Sequence, residues 1–216
     1  MRQSGIGLGL KRVTDLVIAG IALVVAAPLL LVIAAAIAAT IGRPVLFVQV
    51  RPGRNAQPFR LIKFRTMRHV DGAVGDPRHD ASRLTRFGRF LRSTSLDELP
   101  ELLNVLAGTM SLVGPRPLLM QYLPRYTADQ MRRHEVLPGL TGWAQINGRN
   151  ATTWEDRFRN DLWYVDHWSP WLDFRIIALT LAAVAGRRGV SQEGHATMPE
   201  FHAEAGGASA PRDESS

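Results

Sequence analysis

The chain has 216 residues, 46% hydrophobic and 21% charged, enough for one globular domain with an appendage. It has no cysteine, which excludes a disulfide framework, a catalytic thiolate and a thiolate metal site. The net charge of +7 points to an anionic partner: nucleic acid, anionic lipid or a phosphate-rich substrate.

The N-terminal third narrows that choice. No charged residue lies between Asp15 and Arg43, and residues 16–41 are almost wholly Leu, Ile, Val and Ala. The run exceeds the roughly 18 apolar residues that mark a membrane helix. The length argues against a buried core helix, and the apolar part of a cleaved signal peptide reaches only about 15 residues. A membrane anchor is therefore the better reading. Pro28 sits near the midpoint and predicts a kink, because proline removes a helix hydrogen bond and crowds the preceding turn. Each half is about 18 Å long, short of the roughly 30 Å hydrocarbon core. Lys11 and Arg12 precede the run, and Arg43, Arg51, Arg54, Arg60, Lys63, Arg65 and Arg68 follow it, with no acid before Asp71. Basic flanks favour the cytoplasmic side. A single span and a re-entrant helix broken at Pro28 both remain open; basic residues on both flanks favour the second.

Residues 45–50 and 59–67 read as two strands around the turn cluster Pro52, Gly53, Asn55 and Pro58, which predicts a β-hairpin. Residues 71–80 read as a loop. Over residues 82–92, Leu84, Phe87 and Leu91 share one helical face, and Arg83, Arg86 and Arg89 share another. This amphipathic helix suits either a solvated surface or the face of a bilayer. A second helix is expected from Ser95, with Ser95 and Glu98 spaced as a capping box, Leu99, Leu102, Leu103 and Leu106 as its apolar stripe, and Gly108 as its stop. A further helix is expected over residues 127–137, then a long loop over residues 138–148 marked by Pro138, Gly139, Gly142 and Gly148. Trp154, Trp163, Trp168, Trp171 and Tyr164 fit an interfacial belt or a packed aromatic core. Residues 174–185 are apolar but too short to span. The tail from Ala203 has the composition of a disordered segment.

Adjacent Asp97 and Glu98 are the strongest chemical signal. Acids in a first helical turn are explained by capping and the helix dipole. The other reading is catalytic: a carboxylate can accept a phosphoryl group, and a second beside it can help hold Mg²⁺, which takes oxygen ligands from protein and substrate phosphates. Arg116, fixed between Pro115 and Pro117, suits either a bidentate phosphate contact or a plain rigid turn. Lys63, Arg65 and Arg92 are further phosphate candidates, though each alone also reads as surface charge. His134, His167 and His195 show no metal spacing and read as structural.

These segments together resemble the bacterial sugar transferase family, the monotopic phosphoglycosyl transferases. The resemblance runs over about residues 10–185 through Lys11-Arg12 to Asp15, Lys63-Phe64-Arg65-Thr66-Met67, Thr94-Ser95-Leu96-Asp97-Glu98-Leu99-Pro100, Leu112-Val113-Gly114-Pro115-Arg116-Pro117, Pro138-Gly139-Leu140-Thr141-Gly142-Trp143-Ala144-Gln145 and Leu172-Asp173. It implies a re-entrant membrane helix, an Asp nucleophile at Asp97 working with Glu98 and Mg²⁺, and a nucleotide contact at Pro115, Arg116 and Pro117. It also implies the compact form of the family, without the multi-span region of longer members. Many members carry Ser before the helix-breaking proline, whereas this chain has Ala27, so any break rests on Pro28 alone. Arg149-Asn150-Ala151 and Gly194-His195-Ala196-Thr197-Met198 are similar to members that handle N-acetylated amino sugars such as diacetylbacillosamine.

The expected fold is α+β and mostly helical, with a re-entrant membrane helix hairpin, surface amphipathic helices and a small β-hairpin. The expected layout is an anchor over residues 1–43, a catalytic domain over 44–202 on the cytoplasmic face of the bacterial inner membrane, and a disordered tail over 203–216. The expected activity is transfer of a sugar 1-phosphate from a UDP-sugar to undecaprenyl phosphate, a polyprenyl phosphate, with release of UMP, as the first membrane step of glycoconjugate or exopolysaccharide assembly. A non-catalytic anchored module that binds anionic lipid is the rival. A nucleic-acid binder lacks any motif and leaves the membrane segment without a use.

Overall fold

In the computed structural model, which describes residues 5–68, 83–147, 153–186 and 201, the apolar segment forms one helix, α1 (Gly5–Thr40). Pro28 lies inside it, and helical structure continues on both sides. The kink-prone proline therefore does not interrupt the element, because the aliphatic residues flanking it sustain the helix. At 36 residues the helix is about 54 Å long, well beyond a bilayer's hydrocarbon core. Ile21, Val24, Val25, Leu31 and Val32 are each more than half exposed. An apolar surface of that extent is out of place in water and matches hydrocarbon.

The two halves of α1 both pack on the rest of the chain. In the first half Lys11, Asp15 and Ala19 are buried; in the second, Ile33 and Ile37. Lys11 Nζ donates to the Val113 carbonyl at 3.0 Å and to Asp173 Oδ2 at 2.6 Å. Asp173 also accepts from Tyr164 Oη at 2.8 Å and Trp168 Nε1 at 3.0 Å. Asp15 Oδ1 accepts from the Leu112 amide at 3.1 Å. Arg12 donates to the carbonyls of Val105 and Leu106, which satisfies the open end of a later helix. Ile33 and Ile37 pack with Phe64 and Leu91.

After α1 the expected hairpin is present. Strands β1 (Leu46–Pro52) and β2 (Pro58–Phe64) pair antiparallel, with Leu46 opposite Phe64 and Val50 opposite Arg60. Residues 69–82, which include the expected loop, lie outside the described residues. Helix α2 (Arg86–Ser93) starts later than its apolar spacing suggests, because Thr85 caps it and Leu84 instead bridges Met67. Its Leu91 is fully buried, whereas Phe90 is half exposed. A 3₁₀ turn over Leu96–Glu98 leads into α3 (Glu101–Ala107), which stops at Gly108 with φ 81°, the left-handed cap expected there. Asn104 of α3 binds the edge of β2: its Oδ1 accepts from the Ile62 amide and its Nδ2 donates to the Arg60 carbonyl.

Where a loop over residues 138–148 is expected, residues 139–141 and 143–147 form a strand and a helix, and Gly148 lies outside the described residues. Strand β3 (Ser111–Val113) pairs parallel with β4 (Gly139–Thr141), and helix α5 (Trp143–Asn147) follows. A Cβ on Gly139 would sit 2.1 Å from the Gly114 amide nitrogen, and one on Gly142 would sit 2.2 Å from the Gly114 carbonyl oxygen. These glycines mark close backbone approach rather than a loop. The expected helix over 127–137 shrinks to α4 (Ala128–Met131), capped by a Thr127–Gln130 capping box, plus a 3₁₀ turn over Arg132–Glu135.

Helices α6 (Trp154–His167) and α7 (Pro170–Ala185) complete the described fold. The tryptophans divide between the two expected roles. Trp168 and Tyr164 are core residues, Trp171 is 77% exposed, and Trp163 stacks on Trp143 at the surface. The main core joins α1, β2, α3, β3, α6 and α7 through Ala19, Leu61, Val105, Leu112, Tyr164 and Ile176. The tail from Ala203 lies outside the described residues.

Lys11→Met leaves the Asp173 carboxylate buried without its cation. Removing one partner of such a pair typically costs roughly 3–5 kcal/mol. A clear drop in unfolding temperature in detergent, with Asp173→Asn in the same background recovering part of it, is the expected result.

Candidate active site

The site is built where β2, the 3₁₀ turn, α3 and the loop after β3 meet. Ser95 adopts a left-handed conformation with φ 55°, and its side chain caps nothing. The expected capping box is therefore absent. Pro100 precedes the helix proper, so α3 begins at Glu101 and Ser95 is too far upstream to cap it. The carboxylate of Glu98 goes elsewhere. Lys63 of β2 donates to its Oε1 at 2.8 Å, and Arg116 donates to Oε2 at 3.2 Å and also to Oε1. Side-chain capping thus explains neither acid.

Asp97 is in the opposite state. It is buried, at 8% exposure, and makes no hydrogen bond or ion pair among the described residues. Burial, with the adjacent Glu98 charge, pushes its carboxyl up to about 6, against the pull of Lys63, Arg92 and Arg116. For Glu98, burial also acts upward, but Arg116 and Lys63 outweigh it and hold that carboxyl below its usual range. Two neighbouring carboxylates are thereby driven apart, the pattern that assigns different jobs to paired acids.

A third acid escaped the sequence reading. Glu101 is 2% exposed and lies 2.9 Å from Lys63 Nζ. Burial raises its carboxyl, and Glu98 adds to the rise. Nothing local marked it, because Glu98 ends the 3₁₀ turn and Glu101 opens a separate helix, and it is Lys63 of β2 that joins them.

The Pro115-Arg116-Pro117 loop is clamped through its backbone. The Pro115 carbonyl accepts from the Gly139 amide at 3.0 Å, the Arg116 carbonyl from Arg133 Nη2 at 2.7 Å, and the Pro117 carbonyl from Arg51 Nη1 at 3.3 Å. Arg133 is itself buried and held by Asp161 Oδ2, at 3.1 Å from Nε and 2.7 Å from Nη2. Burial and the nearby Arg116 charge lower Arg51 to about 10. Arg51, Arg133 and Asp161 were not singled out in the sequence. Nothing distinguishes Arg133 from its neighbour Arg132 until α6 supplies Asp161. The Glu98 charge, the largest influence on Arg116, keeps that guanidinium protonated.

Of the expected phosphate contacts, Lys63 and Arg116 are at the dyad. Arg92 donates to Thr66 Oγ1 at 3.1 Å, and its charge reaches Asp97. Arg65 donates to the Arg43 carbonyl at 3.1 Å, which directs it to the exit of α1. His134 is structural as expected: burial lowers it to about 4, and its Nδ1 lies 3.2 Å from the Gly53 carbonyl. His167 stacks on Trp163, and His195 lies outside the described residues.

No group of three or more His, Asp or Glu with metal-ligand spacing occurs among the described residues. The donor set still fits Mg²⁺, which takes one or two carboxylates and completes its shell with water and substrate phosphates. Asp97 offers a buried carboxylate with no competing partner among the described residues, and Glu98, whose oxygens Lys63 and Arg116 hold, would exchange one of those contacts to add a second. The segments around Arg149-Asn150-Ala151 and Gly194-His195-Ala196-Thr197-Met198 lie outside the described residues.

The model of the family described as bacterial sugar transferase matches residues 6–187. The chain is 53% identical to the uncharacterized sugar transferase EpsL of Bacillus subtilis over 192 residues, covering 89% of this chain and 95% of that protein. It is 43% identical to the UDP-glucose:undecaprenyl-phosphate glucose-1-phosphate transferase of Klebsiella pneumoniae, over 82% of this chain but 40% of that protein. The galactosyl transferase CpsE of Streptococcus agalactiae is 42% identical over 66% of this chain and 35% of its own length. The chain thus spans most of the first relative and about two fifths or less of the other two.

Asp97 carries a stability cost with a defined pH window. A carboxyl raised from 3.8 to about 6 loses roughly 3 kcal/mol of folding stability on ionising. The raised value means the cost is absent below about pH 4, builds towards pH 6 and is complete above it. Asp97→Asn is accordingly expected to unfold at a higher temperature than the parent at pH 8 and at nearly the same temperature at pH 4. Thermal unfolding at both pH values checks this.

Proposed function

The chain belongs to the bacterial sugar transferase family, and on that premise we propose that it transfers a sugar 1-phosphate from a UDP-sugar to undecaprenyl phosphate through a covalent intermediate on Asp97. The observation that carries this reading is the buried Asp97 carboxylate, without a partner among the described residues, beside a Glu98 already neutralised by Lys63 and Arg116.

The Asp97 carboxylate oxygen attacks the sugar-bearing phosphorus of the donor. The bond from that phosphorus to the bridging oxygen breaks, and UMP leaves with the bonding electrons. A phosphate oxygen of undecaprenyl phosphate then attacks the same phosphorus. The acyl–phosphate bond breaks, which regenerates the carboxylate and yields the lipid diphosphate-sugar. Desolvation leaves Asp97 poorly hydrated and therefore nucleophilic once ionised. Arg116 and Lys63 supply positive charge where the diphosphate would sit, a preorganised stabilisation of the transferring group. Asp97 and Glu98 would hold Mg²⁺, which supplies charge neutralisation at the donor diphosphate. The relatives' names include both glucose and galactosyl transfer, so the sugar is left open within the UDP-sugar class.

The anchor belongs to the same reading. Lys11 and Asp15 reach β3 and α7, while Ile33 and Ile37 reach β2 and α2. Contact of both halves of α1 with one domain supports a re-entrant placement, with both flanks on the cytoplasmic face of the inner membrane, where a UDP-sugar is available. Holding acceptor phosphate and dyad at one depth makes the second step a proximity effect. An anchored module that only binds anionic lipid would not need a buried, unpaired carboxylate, which costs stability.

Asp97→Asn is expected to lower UMP release by at least roughly a thousandfold, as nucleophile losses do, with membrane attachment intact. Turnover is expected to require a divalent cation, and a phosphosugar adduct on Asp97 should be trapped by mass spectrometry when acceptor is withheld. Near-normal UMP release by the variant would overturn the nucleophile assignment, and full activity in excess chelator would remove the metal. For topology, single cysteines near residues 5 and 54 are expected to label from the same side of the membrane; labelling from opposite sides would establish a span.

A further inference from the structure

Beyond α7, one described residue stands apart in sequence: Phe201. Its ring is 5% exposed and sits inside an aromatic cluster. The ring centroids of Tyr122, Tyr126, Trp154 and Phe158 lie 5.7, 5.7, 5.4 and 5.2 Å from it. Arg125 donates to its backbone carbonyl and lies over the Tyr122 ring at 5.6 Å. A single aromatic side chain with four ring neighbours and a backbone clasp is an anchored residue rather than a passing contact.

The cluster touches the site from behind. Leu118, the residue after Pro117, is buried in it. The Phe158 ring lies beneath the Arg133 guanidinium at 5.8 Å. Arg133 donates to the Arg116 carbonyl and is held by Asp161, two residues before the Trp163 turn of the same helix α6. Trp154, at the start of α6, carries Arg157 over its ring at 5.2 Å. The Phe201 ring thus reaches the Pro115-Arg116-Pro117 loop by two routes: through Leu118 in the same cluster, and through Phe158, whose ring lies under the Arg133 that donates to the Arg116 carbonyl. Protein interiors are close-packed, so removing the ring lets its neighbours shift.

We propose that Phe201 is a positioning residue for the donor: seated among Tyr122, Tyr126, Trp154 and Phe158, it fixes Leu118 and Arg133 on either side of the Pro115-Arg116-Pro117 loop and so sets the Arg116 guanidinium. The inference rests on the reading of Arg116 as a contact to the donor diphosphate. It makes a residue far along the C-terminal segment part of donor recognition, although that residue touches no reacting group.

The test uses the full chain in detergent, with UDP as the binding probe. Phe201→Ala is expected to weaken UDP binding about tenfold and to raise the KM for the UDP-sugar by a similar factor, with kcat within twofold of the parent. Phe201→Leu, which keeps most of the apolar volume, should recover most of that loss. Arg125→Gln, which removes the clasp and the cation over Tyr122 but leaves every ring in place, should shift UDP binding in the same direction. Hydrogen exchange supplies a readout independent of catalysis: Phe201→Ala should speed exchange at the Gly114 and Gly139 amides, which bond to Thr141 and Pro115, and leave the Leu112 amide, held by Asp15, protected. UDP affinity and KM unchanged in Phe201→Ala would overturn the proposal. So would a fall in kcat with loss of protection throughout the chain, which is the mark of a merely structural residue. If the parent releases no UMP from any UDP-sugar, the donor reading fails, whereas the exchange pattern still decides whether Phe201 holds the loop.

Discussion

Glu98 is the point at which separate parts of the chain are tied together. Its carboxylate receives Lys63 from β2 and Arg116 from the loop after β3, while its own backbone belongs to the turn before α3. Three stretches far apart in sequence are brought to one place by one acid. A partly buried ion pair of this kind contributes little net stability, because desolvation offsets most of the attraction. Its contribution is specificity: leaving either cation or the acid unpaired in this setting is costly, so alternative arrangements of the loop are disfavoured. With Glu98 committed to two cations, Asp97 is the carboxylate of the pair left without a partner among the described residues, and the proposed division of labour rests on that difference.

The membrane helix is stitched to the same framework. Lys11 reaches Val113 one residue before Gly114, and Arg12 closes the C-terminal end of α3, the helix that starts just after the dyad. The depth of the anchor and the position of the site are therefore coupled through β3 and α3. Asp173 collects Lys11, Tyr164 and Trp168 and extends the coupling to α6 and α7. On the proposed reading, in which one substrate is a lipid, that rigidity brings the acceptor phosphate to the dyad without a search.

Local signals in the sequence were legible where short-range chemistry decides the structure. The hairpin around Gly53 and Asn55, the stop at Gly108 and the apolar run of α1 all follow from such rules. The failures have a common cause, which is tertiary contact overriding a local pattern. Ser95 and Glu98 have capping-box spacing, yet Pro100 delays the helix and two distant cations claim Glu98. Gly139 and Gly142 look like loop markers, yet they are glycine because the Gly114 backbone comes within a Cβ's reach. Leu84 fits the stripe of α2, yet Met67 recruits it into a bridge. At the site, Lys63 and Arg116 were legible beside the dyad, and the resemblance set Asp97 apart from Glu98. Arg133 and Glu101 were not legible, because their roles depend on Asp161 and Lys63 arriving from other elements.

Charge balance at the site sharpens the proposed chemistry. Asp97, Glu98 and Glu101 face Lys63, Arg92 and Arg116, so the named groups come close to cancelling before any substrate arrives. A donor diphosphate adds further negative charge to a place where water is largely excluded, and like charges in a poorly solvated site repel strongly. Something must offset it. Lys63 is already shared between two carboxylates, so with Arg116 it offsets only part of that charge. Protonation of Asp97 would relieve the repulsion but would abolish the nucleophile. On the proposed reading, a divalent cation held by Asp97 and Glu98 would lower the charge of the acids and of the diphosphate together.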